Sequence, residues 1–227
     1  MNRYITLLLI AFCTVTLAAQ ECNTYYPLKK GTSVQMTSYN NRNRPTAITD
    51  YEVLSVSSSS KGKTATVKGT ASDGKGKNIA SAEFDIICDG NNISIDYETL
   101  LNPQLLEQFG QFDYSLSGTN LEWPGNLSVG QKLPDANMIL EVSMQGMNMK
   151  VVTEIKNRKV VGSESLKTPA GTFDCMVITY DTSVEMMGTT HTSSSKVWIS
   201  KGVGPVKDEI SRNGKVESYT LLTAASL

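Results

Sequence analysis

Met138-Ile139-Leu140-Glu141-Val142-Ser143-Met144-Gln145-Gly146-Met147-Asn148-Met149-Lys150-Val151 is the stretch that decides the fold. Apolar residues recur at every second position on both sides of Gln145-Gly146, the period of a strand with one face in a core. A two-residue turn there puts Met138, Leu140, Val142, Met144, Met147, Met149 and Val151 on one face of a hairpin. The same pattern runs outward in both directions. Strands are expected at Thr32 to Tyr39, Ala47 to Ser57, Thr64 to Thr70, Ser81 to Cys88, Ile93 to Tyr97, Met138 to Gln145 and Met147 to Ile155. Four more follow, at Cys175 to Met186, Thr190 to Ser200, Pro205 to Arg212 and Lys215 to Leu222. Asp73-Gly74-Lys75-Gly76 and Asp89-Gly90-Asn91 supply turns, and Asn213-Gly214 is the strongest hairpin dipeptide.

One stretch reads as a helix, Glu98 to Phe109, where Leu101, Leu105 and Phe109 fall at i, i+4 and i+8 before Gly110. The expected fold is therefore mainly β. It is a curved antiparallel sheet, as a half-barrel, an open barrel or a sandwich, with one short helix.

The amino terminus has the pattern of an export signal over residues 1–19. Arg3 supplies the positive start, Ile5 to Leu17 the apolar run, and Leu17-Ala18-Ala19 the small residues before cleavage. Residues 20–227 then form a mainly-β domain, with Pro124 to Pro134 a loop-like stretch at which two half-sheets would divide. The later chain holds no apolar run long enough for a transmembrane helix. Without Arg3 the processed chain carries 20 cationic against 22 acidic residues, a net charge of about −2. That balance argues against nucleic acid as a partner.

Export removes Cys13 and leaves Cys22, Cys88 and Cys175, for which an oxidising compartment favours one disulfide and one free thiol. Three pairings are open. Cys88 with Cys175 is the expected one, because both sit at strand ends or starts within the body of the fold while Cys22 lies on a terminal arm. Gln20-Glu21 stand where a lipobox needs small residues, which argues against a lipid anchor on Cys22.

Nothing here assembles a recognised catalytic or metal site. His191 is the sole histidine, so neither a multi-histidine zinc site nor a nucleophile triad can be built around it. Asp73-Gly74-Lys75-Gly76-Lys77 lacks the Gly-Lys-Ser/Thr ending of a phosphate loop, and no cofactor motif is present. Asp96 and Glu98 are where a carboxylate-dependent hydrolase would be sought.

The methionines are the more informative set. Met144, Met147 and Met149 crowd one hairpin tip, and Met186 and Met187 mark a second. Methionine packs cores, and it also lines sites for greasy ligands of varied shape. The functional expectation is non-catalytic binding of a lipid or hydrophobic peptide, with these five residues as its apolar lip. The competing class is a structural or interaction domain with the same methionines in a filled core. A thioether copper(I) site is a third reading.

Three further stretches resemble a known family when taken in order. They are Cys22 followed by Tyr25-Tyr26-Pro27-Leu28-Lys29-Lys30-Gly31-Thr32; Thr168-Pro169-Ala170-Gly171-Thr172-Phe173 with Cys175; and Val197-Trp198-Ile199 followed by Gly202-Val203-Gly204-Pro205-Val206-Lys207. The chain is similar to exported bacterial proteins of the TapB-like domain-of-unknown-function family. The resemblance implies a Gram-negative, Bacteroidetes-like source, a place in the periplasm or outer envelope, and no catalytic residue. A more distant similarity is to the half-barrels of periplasmic lipoprotein carriers, which enclose an apolar cavity under several helices.

Overall fold

The alternation of the sequence becomes strands wherever it was read. The computed structural model describes residues 25–26, 28–59, 62–100, 112–144 and 147–227. In chain order the strands are β1 (Ser33–Asn40), β2 (Pro45–Ser59), β3 (Gly62–Asp73), β4 (Asn78–Asp89), β5 (Asn92–Ile95), β6 (Asp113–Thr119) and β7 (Leu121–Pro124). Then come β8 (Ala136–Met144), β9 (Met147–Thr168), β10 (Gly171–Met186), β11 (Thr189–Ser200), β12 (Gly204–Arg212) and β13 (Lys215–Ser226). They form one antiparallel sheet in the order β6-β8-β9-β10-β11-β12-β13-β1-β2-β3-β4-β5-β7. β7 at one edge touches β8 beside the other edge, so the sheet is a nearly closed barrel. Closure of this kind leaves few unpaired edges to aggregate.

Asn213-Gly214 turns the β12–β13 hairpin with φ of 50° and 73°. Met187-Gly188 turns β10–β11 with φ of 51° and 75°. Positive φ at both central positions is what a two-residue hairpin needs to match strand twist. Asn and Gly take it readily, whereas Met does so under strain.

The inner face carries two apolar clusters. One gathers Val53, Val67, Ile86, Cys88, Ile93, Trp123, Val160, Ile178, Val197 and Ile199, with Tyr25 of the amino-terminal arm sealed among them. The other holds Met138, Leu140, Val142, Met149 and Val151, with Tyr97, Phe112, Leu116 and Val184 packed against it. A third cluster, with Cys175, Val177, Trp198, Val206 and Leu222, lies on the opposite face of β10 and β11. Unbroken register between those two strands shows why: Val177 opposes Trp198 while Ile178 opposes Val197, so adjacent residues serve opposite faces.

Two short strands, β6 and β7, and the second half of β9 were not expected from the sequence. The expected strand ended at Ile155, but β9 runs on to Thr168 through the polar stretch Lys156-Asn157-Arg158-Lys159. Of the expected helix, the described part is a 3-10 turn over Tyr97–Leu100. The remainder of that helix, 101–109, lies outside the described residues. The 124–134 stretch joins β7 to β8 and lies along β9, where Gly130 N–H donates to the Val160 carbonyl and Leu133 N–H to that of Arg158.

The expected Cys88–Cys175 disulfide is not formed. Cys88 is disulfide-bonded while Cys175 is a free, buried thiol. The reason is topological: six strands separate β4 from β10 in the sheet, and the two side chains enter different clusters. Cys22 lies outside the described residues. Burial pushes the Cys175 thiol up to about 11, so it is a poor nucleophile at neutral pH. Alkylation of the exported protein without reduction should label Cys175 only once denaturant is added, and non-reducing peptide maps should contain no Cys88–Cys175 linked peptide. A linked peptide of that composition would overturn the assignment.

Candidate functional site

The two methionine tips come to the same end of the sheet because β9 pairs with both β8 and β10. Met144 opposes Met147 across the first tip, Val142 opposes Met149, and Val151 opposes Met186. Met149 is not on a lip; it is buried in the second cluster. Met186 continues the inner face of β10 from Val184 outward and is 39% exposed, and Met187 at the turn is 81% exposed. An open groove of about 490 Å³ lies along the outward-facing Glu141, Ser143, Asn148 and Lys150 of β8 and β9, on the side away from the buried second cluster. The Lys150–Glu141 ion pair at 3.1 Å keeps its rim polar.

Of the other sequence candidates, His191 lies at this same end, two residues along β11 from the Met186–Thr189 pair, and Asp96 holds a structural role. His191 is exposed on β11 opposite Val184. Asp96 caps the 3-10 turn, accepting from the Glu98 N–H at 2.9 Å. Among the described residues no three His, Cys, Asp or Glu side chains converge on a metal-sized point.

The sequence reading missed a buried polar cluster in the middle of the inner face. Asn157 and Arg158 together stand where β10 offers only Tyr180, because Lys156 opposes Asp181 and Lys159 opposes Thr179. Asn157 takes φ of 57°, the left-handed conformation of a bulge, and its amide donates to Asp181 Oδ2 at 2.9 Å. The extra residue turns Arg158 inward, where it is 2% exposed.

Its guanidinium lies 4.7 Å from the Trp123 ring and donates through Nη1 to the Pro134 carbonyl at 2.6 Å. Nη2 is buried without a hydrogen-bond partner. Desolvation pulls Arg158 down to about 10, opposed by Tyr26, Tyr180, Asp135 and Glu122. The only sequence signal for this cluster was four polar residues in a row inside a strand.

Tyr180 donates to Asp208 Oδ2 at 3.3 Å, and the other carboxylate oxygen, Oδ1, is buried unpaired. Burial drives both the Tyr26 and Tyr180 hydroxyls upward. It also pushes Asp208 up to about 6, against the lowering effect of the Tyr180 bond, with Glu209 adding repulsion.

With this geometry in view, the comparisons with known proteins place the chain. Residues 29–222 match the family described as DUF3108-like. The chain belongs to the DUF3108-like family. Two solved structures share its fold. One is an exported protein with a YmcC-like fold from Bacteroides fragilis NCTC 9343, with a TM-score of 0.74 and 20% identity, covering 91% of this chain and 100% of that one. The other is a lipoprotein from Parabacteroides distasonis ATCC 8503, with a TM-score of 0.73, 21% identity and the same two coverages. No curated protein matches the sequence. In this DUF3108-like chain the fold is thus a nearly closed antiparallel sheet whose inner face carries both the methionine end and the Arg158 cluster.

The raised Asp208 pKa sets a pH dependence. Protonation is favoured in the folded state, so this group's stabilisation is full below about pH 4 and is lost as pH rises through about 6. Asp73, Glu154 and Glu164 are lowered and act in the opposite sense, but Glu164 is exposed and Asp73 and Glu154 are only half-buried at the surface, where solvent screening leaves them little to contribute. Comparison of the wild type with Asp208→Asn isolates the buried group. The variant should gain stability relative to wild type at pH 7.5 and lose that advantage by pH 4.5, as read by urea midpoints. A difference independent of pH would show that Asp208 is solvated in the fold.

Proposed function

We propose that the protein is an exported, non-catalytic binding module of a Gram-negative envelope, taking up an amphipathic ligand at the methionine end of its inner face. The observation that carries this reading is the course of the apolar face. It runs from buried Met149 and Val151 to the half-exposed Met186 and ends at the fully exposed Met187. A core has no use for a large apolar side chain in water, and a strained left-handed turn has no use for methionine where Asn would serve. Export is supported by the residue 1–19 pattern and by the descriptions of the two structural relatives as an exported protein and a lipoprotein.

One observation favours the alternative of a scaffold without a small-molecule site. The inner face opposite the methionine end is filled by the protein's own side chains, Tyr25 and Trp123 among them. Native mass spectrometry of the processed protein from its own envelope, beside a denatured control and a lipid extract, decides between the two. Bound mass that is lost on denaturation and extracts as lipid supports the module. A bare polypeptide that also fails to take up added long-chain amphiphile supports the scaffold.

Met187→Asn separates folding from binding. It should raise the melting temperature by a few degrees, reflecting roughly 1 kcal/mol of relieved turn strain, while weakening amphiphile uptake several-fold. Unchanged uptake would remove Met187 from the lip.

A further inference from the structure

Arg158 is a charge placed in a core with too few partners. A buried cation is ordinarily matched by a carboxylate, since desolvation costs several kcal/mol. Here the described contacts of the guanidinium are one carbonyl and one aromatic face, and Nη2 has no partner at all. Asp135 and Glu122 act on it only electrostatically. A bulge with Asn157 in the left-handed region holds the side chain in this position.

One of the groups that acts on it electrostatically is not part of the sheet. Tyr26 belongs to the amino-terminal arm, its carbonyl accepting a local bond from Leu28 N–H at 3.0 Å. The arm joins the sheet later, where Gly31 N–H donates to the Val53 carbonyl. The Tyr26 ring rests against Gly204, and its hydroxyl acts electrostatically on Arg158. Tyr25 and Leu28 pack into the first cluster beside it. Tyr25, Tyr26 and Leu28 are thus packed by their side chains, and a rotation of the Tyr26 ring would open a phenol-sized space beside the Arg158 guanidinium.

The inner face connects this point to the methionine end. On β10 it passes from Tyr180 through Thr182 and Val184 to Met186, and on β9 from Arg158 through Ile155 and Thr153 to Val151. Six residues of strand span about 20 Å, enough for an acyl chain that in a bilayer occupies about half of a ~30 Å hydrocarbon core.

We propose that Arg158 receives the carboxylate of a single acyl chain, at a position that the Tyr26 ring closes, with the tail leaving along the inner face toward Met186 and Met187. This rests on the amphipathic-ligand reading above and adds a head group and a direction to it. A carboxylate suits the site because it is compact and singly charged, so that it neutralises the guanidinium at the least desolvation cost.

The test is a fluorescence titration of the processed protein with cis-parinaric acid and with the corresponding alcohol, which has the same chain and a neutral head. The acid should bind at least ten-fold more tightly. Arg158→Met should abolish that preference while leaving the affinity for the alcohol unchanged, and Tyr26→Ala should tighten acid binding several-fold. Replacing an unpaired buried charge by an apolar side chain of similar length is compatible with folding; Arg158→Lys, which retains the charge, should retain part of the preference. Equal binding of acid and alcohol by the wild type, or a preference that survives Arg158→Met, overturns the head-group assignment and leaves the amphipathic reading standing. Binding of neither probe to wild type or to Tyr26→Ala overturns both.

Discussion

The bulge at Asn157-Arg158 is the constraint on which the rest of the architecture depends. β9 is 22 residues long and serves both inner clusters, so its alternation must keep phase over its whole length. Up to Ile155 the inward residues are Met149, Val151, Thr153 and Ile155. Strict alternation would next turn Asn157 and Lys159 inward and Val160 out to solvent. One inserted residue in the left-handed conformation resets the phase, so that Arg158 and Val160 face in. The cost is a guanidinium in the core; the gain is one strand that binds two half-barrels into a single sheet.

A second irregularity, between Val177 and Ile178 in the β9–β10 pairing, leaves Val161 of β9 with no opposite residue. Beyond it both faces of β10 and β11 are apolar, which is why Trp198 can be buried although Val197 and Ile199 already fill the opposite side. Lys196 and Lys207 lie over the Trp198 ring at 4.3 and 4.6 Å, and the indole N–H donates to Glu164. That arrangement covers the outer cluster with charged ends and keeps the external face of the barrel wettable. The binding proposed for this protein is then confined to the inner face, at its methionine end and beneath the arm.

Residues that alternate cleanly were legible in advance. The eleven expected strands coincide with eleven of the observed ones, because hydrophobic period and turn dipeptides are local properties. β6 escaped notice because Asp113-Tyr114-Ser115-Leu116-Ser117-Gly118-Thr119 is nearly all polar, and it is held by β8 rather than by its own burial. β7 is only four residues long and runs directly into a proline, which reads as a loop. The methionine tips were found from sequence, but their division into buried Met149 and exposed Met187 was not, since that depends on how far each hairpin extends beyond its neighbour.

The sequence alone determined that this chain is a mainly-β protein of curved antiparallel sheet and carries the pattern of an export signal over residues 1–19, because those conclusions rest on periodicity and composition. Tertiary structure decided the disulfide, since Cys88 and Cys175 are separated by strand order and not by their sequence context. It also decided the role of Arg158, a residue indistinguishable from a solvated surface arginine until a single backbone bulge turns it into the core. Phase along a long strand is a property of the whole sheet, and no local window of sequence contains it.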